Sequence, residues 1–270
     1  MGVEQFSFQG KRALIIGGAT GMGAAVAELF MSLGGYAIVM DVADISFKVD
    51  QSIKVDLSDK VSVDNAISQI DGSLDAVFGC AGIAGGKPII FVNFIGQRHI
   101  IDTLINSNRV EKGGAVAMIS SVAGMSWMQN LPELLEFLAQ DNWQSAADWM
   151  IGREETHNNY MFSKQAVNAY VANQSLNFLK KGVRINTVMP GPTDTPLARA
   201  NAEQWLGFGS EYRAEAGVGP LSAEQVANTL LFLCSSAASG ISGISVLVDS
   251  GHISSVVSGA YSDPVLSSLL

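Results

Sequence analysis

Short apolar runs alternate with longer helical patterns along almost the whole chain, and this alternation restricts the possible folds more than any other feature. Continuous apolar strands separated by helices are typical of a parallel sheet covered on both faces. The strand-like runs lie at residues 12–16, 36–40, 52–55, 74–78, 115–119, 183–188 and 244–248. We therefore expect an α/β fold built on a doubly wound, seven-stranded parallel sheet.

Helical patterns fill the connections between these strands. They lie at 21–32, 59–70, 88–107, 155–181 and 222–235. One connection, 122–159, is unusually long, and its apolar spacing predicts one or two short helices inserted before the last long helix. The length of 270 residues and the absence of internal repeats predict one domain spanning 1–270.

Charge and cysteine content exclude some classes of partner. The chain has 16 basic and 25 acidic residues, so its surface should repel nucleic acid. Cys80 and Cys234 lie in apolar surroundings, which predicts free thiols in a reducing compartment. Glycines divide the apolar stretch 13–40 into strand, turn, helix and strand, and residues 1–10 do not resemble a signal peptide. We expect a cytoplasmic protein without a membrane or nucleic-acid partner.

A glycine-rich turn joins the first predicted strand to the first predicted helix. Its glycines allow a tight turn and bring backbone N–H groups and the positive end of the helix close to a diphosphate. The turn contains Gly17, Thr20, Gly21, Met22 and Gly23. A glycine-rich turn in this position predicts dinucleotide binding, whereas the same residues elsewhere would predict an ordinary turn.

Asp41 ends the second predicted strand and indicates which dinucleotide is bound. A carboxylate there can accept hydrogen bonds from both ribose hydroxyls of the adenosine. It would oppose a 2′-phosphate by about 4 kcal/mol at roughly 4 Å in an intermediate dielectric. No Lys or Arg follows before Lys48. We therefore expect NAD in preference to NADP, the alternative being that Asp41 is only a solvated strand-end carboxylate.

Tyr160 and Lys164 are four residues apart in the helical pattern 155–181, which places both side chains on one helix face. A nearby cation favours the ionised form of a phenol, whose pKa is ordinarily about 10. The pair could therefore act in proton transfer. Taken alone, it could also be a chance pair on a solvated helix.

Several motifs in the expected order identify a family resemblance. Besides the glycine turn and the Tyr160 and Lys164 pair, the chain has Cys80-Ala81-Gly82 after the fourth strand and Asn93 in the next helix. It also has Ser121 within 119–124 and the stretch 190–195. This set resembles the classical single-domain short-chain dehydrogenase/reductase family, which has a Rossmann fold. The insert, the short crossovers and the Cys-Ala-Gly motif together look similar to the 3α-hydroxysteroid dehydrogenase/carbonyl reductase branch. Ile16 and Cys80 depart from the family's usual Thr and Asn.

The resemblance implies a catalytic tetrad of Asn93, Ser121, Tyr160 and Lys164. Tyr160 would act as the general acid or base, Ser121 would hold the substrate oxygen, Lys164 would bind the nicotinamide ribose, and Asn93 would hold a relay water. The implied cofactor residues are Gly17, Thr20, Gly21, Met22, Gly23, Asp41, Val42, Asp56, Leu57, Cys80, Ala81, Gly82, Tyr160, Lys164, Pro190, Gly191, Thr193 and Thr195. The three histidines lack metal-ligand spacing, so we expect no metal site.

The substrate side is predicted to be apolar. The resemblance places a substrate loop at about 193–220, containing Trp205, and the insert adds Met125 and Trp127 near the catalytic residues. Such walls favour a bulky hydrophobic alcohol or ketone that is steroid-like, terpenoid or aromatic. Alternatively, the insert aromatics pack the insert onto the body or form a subunit interface. We expect a homodimer or homotetramer.

Two other functions stay open at this point. One is a 3-oxoacyl or small carbonyl reductase, although its carrier-bound substrates usually favour NADPH and a basic docking patch. The other, of a different class, is an inactive NAD-binding sensor or scaffold, against which the complete tetrad argues.

Overall fold

The computed structural model describes residues 3–267 and contains a seven-stranded sheet in the order β3-β2-β1-β4-β5-β6-β9. All neighbouring strands in this sheet are parallel, so the doubly wound α/β prediction is confirmed. The strands are β1 Arg12–Ile16, β2 Tyr36–Asp41, β3 Gln51–Lys54, β4 Leu74–Gly79, β5 Val110–Ile119, β6 Arg184–Pro190 and β9 Ser245–Val248. The two-residue strands β7 Thr193–Asp194 and β8 Leu221–Ser222 pair separately.

Helices cover both faces of the sheet. They are α1 Gly21–Ser32, α2 Lys60–Ser68, α3 Gly96–Asn106, α4 Leu131–Leu138, α5 Trp143–Met150, α6 Glu154–His157, α7 Tyr160–Lys180, α8 Pro196–Arg199, α9 Ala202–Trp205, α10 Ser210–Ala216, α11 Ala223–Cys234, α12 His252–Val257 and α13 Pro264–Ser267. One core cluster joins the sheet to α2, α3 and α7, and a second joins it to α1 and α11. Within 3–267 no helix is both long and apolar enough to cross a membrane.

The predicted helix 155–181 is wrong at its start. The structure ends α6 at His157 and begins α7 at Tyr160, with Asn159 as the N-cap. The Asn159 side-chain oxygen accepts a hydrogen bond from the backbone N–H of Phe162 at 2.9 Å, so one helix ends before Asn159 and another begins after it. Tyr160 is therefore the first residue of a new helix.

The predicted helix 88–107 is also interrupted. Phe91–Ile95 forms a π-helical turn directly before α3. A π turn inserts one extra residue into the helix and changes the directions of the side chains around it, and such turns are frequent at functional sites. This turn carries Asn93.

The insert 122–159 contains more helix than predicted, and its aromatic residues pack on the body of the protein. A 3-10 helix, Val122–Met128, precedes α4, α5 and α6. Phe137 of α4 is fully buried and contacts Phe94 and Phe162, with ring centroids 5.5 Å apart in both pairs. Trp149 of α5 stacks on Phe162 at 6.0 Å. The insert is therefore anchored on α7, two residues after Tyr160.

Candidate functional site

A cleft of about 230 Å³ opens at the carboxyl ends of β1, β2 and β4, where the strand order reverses. This is the usual ligand position in doubly wound sheets. The predicted cofactor residues that line it are Gly17, Thr20, Gly21, Met22, Gly23, Asp41, Val42, Asp56, Leu57, Cys80, Ala81, Gly82 and Thr195. Sequence reasoning missed Met40, Val55, Ile83, Val92, Pro196 and Leu197, most of which directly adjoin predicted residues.

The glycines of the turn allow the backbone to pack closely. A Cβ on Gly17, whose φ is +83°, would lie 2.3 Å from the Cα of Ala81, and one on Gly23 would lie 2.0 Å from the Gly17 carbonyl oxygen. A Cβ on Gly21, with φ +59°, would meet the Thr195 side chain at 3.4 Å. The Thr20 side chain, at the N-cap of α1, accepts no hydrogen bond from this helix, so it does not occupy the first backbone N–H groups. The cradle therefore fits a diphosphate.

Asp41 is tied to this cradle. One carboxylate oxygen accepts a hydrogen bond from the Ala19 N–H at 2.8 Å, and the other accepts one from the Ala43 N–H at 2.9 Å. The neighbouring Val42 is 63% exposed and lines the cleft as an apolar surface. The carboxylate of Asp56 instead accepts hydrogen bonds from the backbone and hydroxyl of Ser58. Asp41 is thus a strand-end carboxylate that also stabilises the glycine turn by hydrogen bonding to its backbone.

Ser121, Tyr160 and Lys164 meet where β5 ends and α7 begins. The side chains of Ser121 and Tyr160 share a hydrogen bond. The Lys164 ammonium donates to the Ile119 carbonyl at 2.9 Å and lies 5.5 Å from the centroid of the Tyr160 ring. The Ser120 hydroxyl donates to the Lys164 carbonyl at 2.8 Å, which fastens the strand end to the helix.

Burial dominates the proton affinities of this site. Desolvation raises the pKa of Tyr160 to about 12, opposed by the hydrogen bond to Ser121. This shift is opposite to the one that a neighbouring cation favours. Desolvation lowers the pKa of Lys164 to about 8, opposed by the nearby Cys80. It also raises the pKa of the Cys80 thiol to about 12.

Asn93 is fully buried and holds the loop that follows β4. Its side-chain oxygen accepts from the Ile83 N–H at 2.8 Å, while its amide group donates to the Ile83 carbonyl and to the Ser163 hydroxyl, both at 3.1 Å. A Cβ on Gly82 would lie 3.6 Å from the Lys164 Nζ and 3.7 Å from the Asn93 Oδ1. Asn93 and Lys164 therefore border the same stretch of loop.

The predicted residues after β6 shape a turn beside the cleft. Gly191 donates its N–H to the Val248 carbonyl at 2.9 Å, and the Thr193 hydroxyl donates to the Gly191 carbonyl at 2.9 Å. Pro190, Gly191 and Thr193 are not among the residues that line the cleft, whereas Thr195 is. Thr195 caps α8 by accepting a hydrogen bond from the Ala198 N–H at 3.2 Å.

The three apolar residues predicted to contact the substrate, Met125, Trp127 and Trp205, lie in different surroundings. Trp205 packs against Tyr160, with ring centroids 4.8 Å apart. Met125 packs with Ile253 and Val256 in a small apolar cluster near the C-terminus. Trp127 packs against the main core cluster on the insert side. Only Trp205 of these three has a ring contact with Tyr160 among the described residues.

Comparison with known proteins finds similar sequences among dehydrogenases and reductases. A family model described as enoyl-(acyl carrier protein) reductase matches residues 146–252. The coniferyl-alcohol dehydrogenase of Pseudomonas sp. (strain HR199 / DSM 7063) is 26% identical, over 92% of this chain and 98% of that protein. The 3-alpha-hydroxysteroid dehydrogenase/carbonyl reductase of Comamonas testosteroni is 25% identical, over 88% and 95%.

A solved structure extends this similarity to three dimensions. The 3-alpha-hydroxysteroid dehydrogenase from Pseudomonas sp. B-0831, complexed with NADH, superimposes with a TM-score of 0.74. It is 27% identical in sequence, and the match covers 93% of this chain and 100% of that chain.

Proposed function

From the confirmed resemblance to the short-chain dehydrogenase/reductase family, we propose that this protein is an NAD-dependent oxidoreductase that interconverts a secondary alcohol and a ketone. One observation carries the proposal. The hydrogen-bonded side chains of Ser121 and Tyr160 stand beside the buried Lys164, whose ammonium lies next to Gly82 in the wall of the glycine-lined cleft.

The chain's own residues divide the work of proton transfer. Tyr160 moves the proton to or from the substrate oxygen, and Ser121 holds that oxygen by a hydrogen bond. Lys164 would bind the ribose of the nicotinamide nucleotide, and its ammonium lies 5.5 Å from the centroid of the Tyr160 ring. Asn93 would hold the water that relays protons away from the site. Bound NAD supplies the hydride-accepting ring.

Asp41 supports NAD as the preferred cofactor. Its carboxylate faces the cleft where the adenosine ribose would bind, and it would repel a 2′-phosphate. The comparison of NADH and NADPH dissociation constants on the wild-type protein tests this preference. An equal or lower constant for NADPH would contradict it.

We propose a bulky hydrophobic substrate, because Trp205 supplies an aromatic wall directly against Tyr160. The relatives named above carry the names of enzymes acting on coniferyl alcohol and on a hydroxysteroid. The family model is described as enoyl-(acyl carrier protein) reductase, so enoyl thioesters belong in the same substrate panel, beside the 3-oxoacyl thioesters of the alternative function. Activity on short hydrophilic alcohols alone would contradict the apolar wall.

The central test is Tyr160→Phe. Loss of the phenolic hydroxyl should lower kcat by about 10² to 10⁴-fold on any substrate found in the panel, because proton transfer is lost. The dissociation constant for NADH should stay within about twofold, since the cradle is untouched. NADH absorbance and NADH fluorescence measure the two quantities.

Tyr170→Phe is the matched control, because Tyr170 is a buried tyrosine of the same helix whose hydroxyl donates to Asp102. It should lower stability and leave kcat unchanged. Undiminished turnover by Tyr160→Phe would refute the proposed mechanism. NADH binding by the wild-type protein without turnover of any panel member would instead favour the sensor or scaffold.

A further inference from the structure

Gln97 occupies a buried position between the π turn and the loop that lines the cleft. It is the second residue of α3 and only 1% exposed. Its side-chain amide nitrogen donates to the carbonyls of Ala81 at 3.0 Å, Val92 at 3.1 Å and Asn93 at 3.0 Å. One NH₂ group therefore joins the loop after β4 to the turn that carries Asn93.

The group of Gln97 that faces these three carbonyl oxygens must be a hydrogen-bond donor. Three carbonyl oxygens converge on the Gln97 amide, and the reversed amide would bring a fourth oxygen against them. The remaining side-chain oxygen of Gln97 is buried, has no hydrogen-bond partner within residues 3–267, and lies near Gly79, where a Cβ would be 2.9 Å from it. Leaving a buried polar atom unpaired carries a free-energy cost, which indicates that the donor side of the amide has the structural role.

The loop held by Gln97 is a wall of the proposed cofactor site. Ala81 packs against Gly17 of the cradle, and Gly82 faces Lys164. Ile83, the next residue, is held at both its N–H and its carbonyl by Asn93. Two side-chain amides, from Gln97 and Asn93, thus hold Ala81 and Ile83, the two residues on either side of Gly82.

We propose that Gln97 is a positioning residue for the dinucleotide: by holding Ala81 it keeps the start of the loop 81–83 in the conformation that receives the cofactor. The proposal rests on the proposed function, because it assumes that the cleft binds NAD. Gln97 does not line the cleft and acts through the backbone of Ala81.

Gln97→Met tests the proposal by removing the amide while keeping the length of the side chain. We expect the dissociation constant for NADH, measured by fluorescence titration, to rise about tenfold, because the loop loses one hydrogen bond that orders it. A melting curve checks that the variant is folded. An unchanged dissociation constant in a folded variant would overturn the proposal.

Gln165→Met is the matched control. Gln165 is also a buried helix glutamine, 2% exposed, but its amide bonds to Ser126 and Asn130 on the insert side. This variant should lose stability and keep the NADH affinity of the wild type. Equal weakening of NADH binding by both variants would show a general effect of destabilisation and would also overturn the proposal.

Gln97→Glu gives a second readout that a purely structural role would not produce. The introduced carboxylate repels the three carbonyls, whereas its protonated form can donate one hydrogen bond. Burial raises the pKa of such a carboxyl group, so NADH affinity should recover as the pH falls from about 8 to about 6. The wild type and Gln97→Met should not show this recovery.

A flat pH profile for Gln97→Glu would contradict the proposal. The titration also separates it from the proposed function. Failure of the wild-type protein to bind NADH refutes the cofactor site itself, whereas tight binding by the wild type and Gln97→Met alike refutes only the role of Gln97.

Discussion

Lys164 carries its charge at a buried position. Lys164 is only 3% exposed, and its ammonium donates a hydrogen bond to the Ile119 carbonyl. Desolvation of an ammonium is unfavourable, which is why its pKa falls to about 8. The residue that brings charge to Tyr160 therefore reduces the stability of the fold.

Replacing Lys164 by Met tests this balance between stability and activity. The variant removes the buried charge but leaves the Ile119 carbonyl unpaired, so the free energy of unfolding at about pH 7 should rise by only about 1 to 2 kcal/mol. Turnover should be lost. Urea unfolding and an NADH-linked assay measure the two effects.

The gain in stability should depend on pH. The unfolded chain keeps the lysine proton up to about pH 10.5, whereas the folded chain releases it near 8. The wild type therefore gains stability as the pH rises between these values, and its difference from Lys164→Met should shrink. Lys180→Met, at the exposed end of the same helix, should bring no gain at about pH 7. A gain for Lys164→Met that stays constant with pH would contradict the buried-charge explanation.

At the scale of single elements, the start of α7 controls the position of Tyr160. Asn159 caps the helix, and Tyr160 is its first residue. The cap therefore orients the phenol as well as stabilising the helix end.

Asn159→Ala should lower the free energy of unfolding by about 1 kcal/mol and also lower kcat, because the first turn of α7 loses its fixed start. Asn142→Ala is the matched control, since Asn142 caps α5 with the same geometry and a complete capping box. It should lower stability similarly and leave kcat unchanged. Equal kcat values for the two variants would show that the cap has no influence on Tyr160.

Elements also show which features the sequence can predict. Strands such as β1 and β2 were predicted at their observed starts because buried apolar runs have few other possible structures. Strand β5 begins at Val110, five residues before its prediction, because its first part contains Glu111, Lys112 and two glycines and lacks an apolar pattern.

The features that could not be predicted depend on contacts between distant parts of the chain. The break before Tyr160 results from a competition between the Asn159 side chain and the helix backbone. The π turn at Phe91–Ile95 is stabilised by Gln97, which also bonds to Ala81, sixteen positions away. Composition and periodicity carry no signal for such a contact. The glycine cradle and Asp41 were predictable because their spacing is local.

At the scale of the whole molecule, the insert is part of the packed core. Its helices lie on the outer side of α3 and α7, with Phe137 buried between Phe94, Trp149 and Phe162. The homodimer or homotetramer expected from the sequence remains a prediction, and any interface on this side of the molecule would include the insert.

Phe137→Ala should cost about 3 to 5 kcal/mol, the usual loss for a fully buried aromatic side chain. Three of the four tryptophans lie in 122–159, so tryptophan fluorescence reports on the insert while far-UV circular dichroism reports on the whole fold. In this variant we expect the fluorescence transition in urea to precede the dichroism transition.

Phe30→Ala is the control, because Phe30 is equally buried in the other core cluster, away from the insert. Its two transitions should coincide. Coincident transitions for Phe137→Ala as well would show that the insert unfolds only together with the sheet.

The two hydrogen bonds of Asp41 link cofactor choice to the shape of the glycine turn. Both carboxylate oxygens accept backbone N–H groups, one of them from Ala19 inside the turn. Any residue introduced there to admit a 2′-phosphate also removes a support from the structure that receives the diphosphate. Conversion of this protein to the phosphorylated cofactor is therefore a coupled change: an engineer, or an evolving lineage, must rebuild the turn in the same step or pass through an intermediate that binds neither cofactor well.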